Sequence, residues 1–389
     1  MDLPLAGIQV LDFSNYISGP YCPMMLADMG AEVIKVESHQ GDMLRYFPST
    51  LPNESRMFLG LNRNKRSMVL DLKQPEGREV IYKLVKSTDV VVENFRPGVA
   101  ERLEIDYDTL SRLNPRLVYC SISGYGQRGP LRNKPGFDQV LQSFGGVAMC
   151  QGREHGAPAI VQGSVIDYFT GMMAAYGVMT ALFVRERTGI GQKIETSLLE
   201  ATMAIQAGRL VWAEGEPREV QRDLHGGISG IYETRQGYIY VSAHTQKFWS
   251  GLCTVLGLEH LIDDPRYNSM AKRSAEAVPL RKMLGEAFLQ KTADEWEQLL
   301  EAHGVPCSKV RPLEDLFDHP QVLANEMIVT LEHPVVGRFR MIGLPLKLQK
   351  TPGKIRRPAP TLGQHTEEIL TSLGYTAEEI ASLREKKVI

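Results

Sequence analysis

The sequence is poor in the features that mark a stapled, membrane-spanning or nucleic-acid-binding protein. Only 5 of its 389 residues are cysteine, an odd number with no CxxC spacing among them. That excludes a disulfide framework and a cysteine-based zinc or redox site, and it fits a reducing compartment. Neither sign of charge is in excess: 44 Lys plus Arg stand against 46 Asp plus Glu, a formal net charge of −2. No broad positive field is available for nucleic acid. None of the 9 histidines pairs with another at i+2 or i+4, so a metal site has no local support. The longest uncharged run, residues 168–184, is short and slightly too polar for a span of about 20 apolar residues. The opening Met-Asp-Leu-Pro-Leu-Ala-Gly lacks the basic and apolar regions of a secretory signal. The expectation is a cytoplasmic protein with neither membrane nor nucleic-acid partner. Glycine fingerprints are missing too. Residues 14–20 read SNYISGP, so no GxGxxG follows the first strand, and no GxxxxGK[ST], HExxH or GxSxG occurs. A standard dinucleotide site, a P-loop, a zincin and a hydrolase elbow are excluded.

What is present is alternation. GIQVLDF (7–13), EVIKV (32–36), SMVLDL (67–72), DVVV (89–92) and LVYCSI (117–122) are short β-branched runs, and helical stretches separate them. They predict an α/β fold with a mostly parallel sheet covered on both faces. Residues 1–213 are expected to form the first part of a large domain, 214–225 a polar linker and 226–324 a smaller α+β domain. The Pro- and Gly-rich segment 325–389 is expected to be extended, ending in two helices that complete the large domain.

Asp167 is the first candidate for chemistry. It opens a run, Tyr168–Val184, that is apolar nearly all round and therefore expected to be buried. As a helix N-cap it would contribute ~1 kcal/mol. If Ser164 caps instead, Asp167 falls in the first turn, where aligned amides would keep it ionised as a nucleophile. Arg63, Lys65, Arg66 and Lys73 bracket one strand and suit either a phosphate-bearing ligand or a solvated sheet edge. Glu93-Asn94-Phe95-Arg96-Pro97-Gly98 follows another strand and puts an amide, an aromatic ring and a guanidinium at a carboxyl end. Gly124, Gly126, Gly226 and Gly227 are candidate oxyanion donors. Tyr16, Ile17, Phe137, His225 and Ile228 are candidates for an acyl wall.

Five blocks then carry a resemblance over nearly the whole chain: LAGIQVLDFSNYISGPYCPMMLADMGAEVIKVE, NRNKRSMVLDL, DVVVENFRPGV, NPRLVYCSISGYGQRGP and TGIGQKIETSLLEA. Together they resemble the class III CoA-transferase family, which includes formyl-CoA transferase, carnitine and bile-acid CoA-transferases, and α-methylacyl-CoA racemases. The resemblance implies a Rossmann-like large domain, a smaller domain and a homodimer of interlocked chains. It also implies an enzyme moving CoA from an acyl-CoA to a small carboxylic acid, with no tightly bound cofactor or metal. Asp167, in GSVIDYFTG, would be its nucleophile, passing through an aspartyl anhydride and an aspartyl-CoA thioester. Lys73, Asn94, Phe95, Arg96, Arg63 and Arg66 would contact CoA.

Two alternatives stay open. A racemase of 2-methylacyl-CoA needs a histidine where this chain has Phe137, which cannot carry a proton. A non-catalytic CoA-binding protein would use Asp167 only as a cap. The formyl-CoA branch has a longer glycine run where this chain reads HGGISG at 225–230, so oxalate and formyl-CoA are not carried over.

Overall fold

The β-branched runs of the N-terminal half form one six-stranded parallel sheet. A computed structural model describes residues 3–52, 54–151, 157–216 and 227–389. Its strands are β1 (Gln9–Asp12), β2 (Glu32–Glu37), β3 (Lys65–Val69), β4 (Val90–Glu93), β5 (Val118–Ser123) and β6 (Lys193–Ser197), in the order β3-β2-β1-β4-β5-β6. The helices between them are α1 (Ser18–Asp28), α2 (Arg56–Leu61), α3 (Pro75–Val85), α4 (Val99–Arg102), α5 (Tyr107–Leu113), α6 (Asp138–Phe144), α7 (Val147–Gln151), α8 (Val165–Thr188) and α9 (Leu198–Ala204). Successive strand residues point to opposite faces. Leu11, Ile34 and Val91 therefore pack with Val80, Ile81 and Leu84 of α3 and Leu110 of α5. Val10, Val33, Val90 and Val92 pack with Leu26 and Ala27 of α1 and with Ala174, Ala175, Val178 and Ala181 of α8. Each such aliphatic side chain contributes about 1.5–3 kcal/mol on burial.

Two of these helices differ from the sequence reading. The first is α1, whose pattern suggests a start at Pro23, whereas the structure carries Pro23 inside the helix. Packing on α8 offsets a local penalty of about 3 kcal/mol. The second is α8, which is not buried all round. By length and composition it could cross a membrane, yet its alanine face lies on the sheet while Tyr168, Met172, Tyr176, Met179 and Phe183 are exposed. Apolar composition alone does not distinguish a core helix from one with an open apolar face.

The chain divides into two units, Met1–Val211 with Gln321–Ile389, and Trp212–Pro320. The second has β7 (Gly230–Glu233), β8 (Tyr238–Val241) and β9 (Cys307–Lys309) in one antiparallel sheet. Its helices are α10 (Gln246–Leu256), α11 (Met270–Ala275), α12 (Ala277–Phe288) and α13 (Ala293–Ala302). Trp249, Leu280, Phe288 and Trp296 fill its core, and Thr292 with Glu295 makes a capping box at α13.

After α14 (Pro320–Ala324), β10 (Ile328–His333) and β11 (Gly337–Ile342) form a hairpin where an extended tail was expected. The chain then lies along the first unit. Lys354 N–H donates to the Asp28 carbonyl (2.8 Å), Asn64 N–H to Arg357 (3.1 Å) and His365 N–H to Ser67 (2.9 Å). Helices α15 (Thr366–Ser372) and α16 (Ala377–Glu385) put Ile369, Leu370, Ile380 and Leu383 into the α3 core.

Candidate active site

Loops at the carboxyl ends of β1, β2, β4 and β5 surround a cleft of about 860 Å³. It lies where the strand order reverses, with β1 flanked by β2 and β4, the usual ligand crevice of an open parallel sheet. The loops after β1 and β4 are stitched together. Asn15 N–H donates to Asn94 Oδ1 (2.8 Å), and Asn94 Nδ2 returns a bond to the Asn15 carbonyl (2.7 Å). Two non-glycine residues on the rim hold left-handed backbone, Tyr16 at φ 64° and Ser164 at φ 57°. Such strain persists only where the surroundings over-determine it.

A buried charge network supports these loops. Asp12 accepts from the Ser14 hydroxyl and from Lys65 Nζ (2.8 Å), and Lys65 also reaches Asn62 Oδ1 and the Pro20 carbonyl. Lys35 Nζ donates to the Ser14 carbonyl (2.7 Å) and pairs with Asp42 (2.9 Å), whose other oxygen receives Tyr16 N–H (3.1 Å). Burial pushes Lys65 down to about 8 against the pull of Asp12. Burial would raise the Asp12 carboxyl, but Lys65 and Lys35 hold it below its ordinary range. Glu93, beneath the β4 loop, is pushed by burial up to about 7, and its Oε2 still accepts Phe95 N–H (2.8 Å).

Asp167 opens onto the same cleft. Ser164 stands at the N-cap of α8 without a side-chain cap bond, so Asp167 is the third helical residue. The amides are capped from another helix: Asp138 Oδ2 accepts Ile166 N–H (2.6 Å) and Asp167 N–H (3.0 Å). Asp138 is 1% exposed; Gln142 Nε2 donates to its Oδ1 and to the Val161 carbonyl, while Gln142 Oε1 accepts Val161 N–H. The carboxyl of Asp167 is pushed up to about 7, first by burial and then by the nearby Asp138 charge, with the Ser18 hydroxyl opposing. The helix amides expected to stabilise the Asp167 charge are instead taken by Asp138. Glycine sets the approach of α1 to α8, since a methyl at Gly171 would stand 2.7 Å from the Ser18 carbonyl oxygen. Gly124 and Gly136 cross just as closely, a methyl on the second falling 2.8 Å from the first Cα.

A family model described as CoA-transferase family III matches residues 5–366. The chain belongs to CoA-transferase family III. It is 34% identical to human succinyl-CoA:glutarate CoA-transferase, covering 99% of this chain and 90% of the relative. It is 36% identical to the succinyl-CoA–L-malate CoA-transferase beta subunit of Chloroflexus aurantiacus, covering 100% and 98%. The crystal structure of a CaiB/BaiF family protein from Brucella suis superposes with a TM-score of 0.85 at 30% identity, over 96% of this chain and 100% of that one. The protein is an enzyme that transfers CoA, with CoA thioesters as substrates.

Within this family III fold, the site residues read from sequence separate into two groups. Asp167, Tyr16, Ile17, Asn94, Phe95, Arg96, Gly124 and Phe137 meet at the cleft. Several others do not. Arg63 is 1% exposed and locked to Asp28 (2.7 Å), with further bonds to the Ile342 and Gly343 carbonyls. It anchors the return segment and cannot reach a ligand phosphate. Arg66 pairs with Glu368 of α15 (2.9 Å), and exposed Lys73 lies off the cleft lining. Within the basic run, Arg63 and Lys65 are thus members of buried ion pairs, while Arg66 and Lys73 stay at the surface outside the cleft lining. The Asn94 side chain is committed to Asn15 at both ends. Gly126 N–H is taken by Ser123 Oγ (3.0 Å), which removes it as an oxyanion donor. Ile228 is buried in the core of the second unit and Gly227 belongs to that unit. Gly226, His225 and most of the expected linker lie outside the described residues.

Sequence reasoning missed Asp138, Ser18 and the cleft cations Arg132 and Lys134. The one available signal was an acidic residue 29 positions upstream of Asp167 at the start of an amphipathic stretch, which no local periodicity connects to α8.

Proposed function

We propose that the chain exchanges CoA between two carboxylic acids through covalent intermediates on Asp167. An ionised Asp167 oxygen attacks the thioester carbonyl of the donor acyl-CoA, the C–S bond breaks, and a mixed anhydride and a CoA thiolate form. The thiolate then attacks the aspartyl carbonyl of that anhydride, expelling the donor carboxylate and leaving an aspartyl-CoA thioester. The acceptor carboxylate attacks this thioester, and thiolate is released again as a second anhydride forms. Attack of thiolate on the acceptor acyl carbonyl restores Asp167 and yields the new acyl-CoA. One thioester is exchanged for another, so the sequence needs no outside energy source. Keeping the thiolate bound gives the high effective concentration each return step requires.

The observation that carries this reading is the position of Asp167, a cleft carboxylate at the third residue of a helix already capped by Asp138. A mere helix cap is the role it does not fill. Racemisation is disfavoured by Phe137 at the proton-carrying position and by a described cleft lining that contains no histidine.

The acceptor class follows from relatives and charge together. Relatives are named for glutarate, L-malate, D-citramalate and oxalate transfer. Arg96, Arg132 and Lys134 line the cleft with no carboxylate partner among the described residues. A small dicarboxylic acid, one carboxylate reacting and the other held by a cation, fits this set best. A second copy of the chain, covering the exposed stripe of α8, would complete the assembly as a homodimer.

The test is exchange of labelled free acid into acyl-CoA over a panel of mono- and dicarboxylic acids. Wild type should exchange dicarboxylates preferentially, and Asp167→Ala should bind acyl-CoA without exchanging label. Undiminished exchange by Asp167→Ala would remove the mechanism.

A further inference from the structure

We infer that Asp138 is a positioning residue that occupies the helix-end amides and, by setting its own negative charge beside the Asp167 carboxylate, keeps that carboxylate basic and reactive. This rests on the reading of Asp167 as the nucleophile and adds to it a device that sets its reactivity.

The first turn of an α-helix offers free N–H groups that stabilise a nearby anion. A carboxylate in that turn ordinarily benefits from them, becoming a weaker base and a weaker nucleophile. Here the amides of Ile166 and Asp167 both point to Asp138 Oδ2, at 2.6 Å and 3.0 Å. With Gln142 Nε2 on the other oxygen, three N–H donors converge on Asp138. Its neighbour Asp167 is left with one opposing group, the Ser18 hydroxyl. Gln142 is itself fixed by two bonds to Val161, so the capping carboxylate is braced from the side away from the cleft.

Other groups near Asp167 do not substitute for this arrangement. From α1 the facing polar groups are Ser18 and Tyr21, and from α8 Tyr168, whose ring meets Tyr21 edge-on at 5.0 Å. From α6 it is Asp138, and α9 presents Leu198 to the cleft. Glu200 of α9 is engaged with Ser197. Arg96, Arg132 and Lys134 line the cleft but are not among the groups acting on the carboxyl, which burial and the Asp138 charge raise to about 7. Two carboxylates at one helix end divide the roles, one hydrogen-bonded into the fold and one raised toward neutrality.

The experiment is the pH dependence of kcat/KM for CoA exchange in wild type, Asp138→Asn and Asp138→Glu, with folding followed by circular dichroism. Wild type should lose activity below an acid limb near neutral pH. Removing the charge in Asp138→Asn should move that limb down by about one pH unit or more. Its loss relative to wild type should then be about tenfold at pH 8 and shrink to about threefold or less at pH 5.5. Asp138→Glu keeps the charge and should keep the wild-type limb within about half a unit. An unmoved limb in folded Asp138→Asn overturns the inference, because a purely structural cap changes stability and rate without changing the limb. If Asp138→Asn does not fold, Asp138→Ser, whose hydroxyl can still accept a helix amide, takes its place, and an unmoved limb there overturns the inference. Asp167→Ala run alongside separates the two readings. Retained exchange there defeats the nucleophile itself, whereas a dead Asp167→Ala with an unmoved Asp138→Asn limb defeats only the role of Asp138.

Discussion

At the scale of single residues, the central feature is a carboxyl that the fold holds away from its ordinary state. Asp167 is raised to about 7 by burial and by Asp138. The folded chain therefore binds a proton that the unfolded chain has already lost above its ordinary carboxylate range. Stability is then highest below that range and falls as pH rises toward 7, after which the loss is complete. Asp167→Asn removes this dependence. It should unfold at a higher temperature than wild type at pH 8, and the gap should close at pH 4; a gap that widens toward acid would contradict the assignment. Catalysis should respond the other way, with kcat/KM of Asp167→Asn lower by about 10³-fold or more at every pH. A site that destabilises its own fold while supporting reaction is a common trade. Asp138 and Asp167 show why pairwise contacts across the chain, and not propensity, decide which acid acts.

Among the elements, the sequence made the sheet legible and the polar interior illegible. VVVE of β4 and VYCSIS of β5 are buried along their full length, and a run of apolar, β-branched residues is what such strands require. The apolar stretch of α8 was equally plain. The basic stretch misled for a physical reason. A lysine or arginine run has the same sequence signature whether it faces phosphate, solvent or buried carboxylates, and the partners Asp12 and Asp28 lie dozens of residues away. The β10–β11 hairpin was hidden by the prolines and glycines that also suit an extended chain. Arg63→Met leaves Asp28 buried without its ion pair and should cost about 3–5 kcal/mol in denaturant unfolding. A cost under about 1 kcal/mol would mean the pair is not buried. Gly171→Ala drives a methyl against the Ser18 carbonyl. It should cost about 1–3 kcal/mol and lower kcat more than it raises KM, because α1 carries Ser18 at the cleft.

At the scale of the whole molecule, one parallel sheet carries the cleft at its carboxyl ends, the return segment lies along the first unit, and α8 leaves an apolar stripe open. Tyr176 and Phe183 on α8 are 76% and 59% exposed, which is more apolar surface than an isolated helix face usually leaves in water. The proposed homodimer covers it. Phe183→Glu with Tyr176→Glu should convert the dimer to monomer in light scattering, and a wild-type monomer at micromolar concentration would contradict the assembly. The fold itself is shared with family III relatives of different acid preference, so the fold alone does not name the acid. What it does predict is where the covalent bond forms. The most direct measurement is the intact mass of the protein after incubation with acyl-CoA alone and quenching with hydroxylamine, followed by peptide mapping. The account predicts a hydroxamate on the peptide carrying Asp167 and none in Asp167→Ala. A modification on another residue, or turnover with no trapped adduct at any time point, would contradict it.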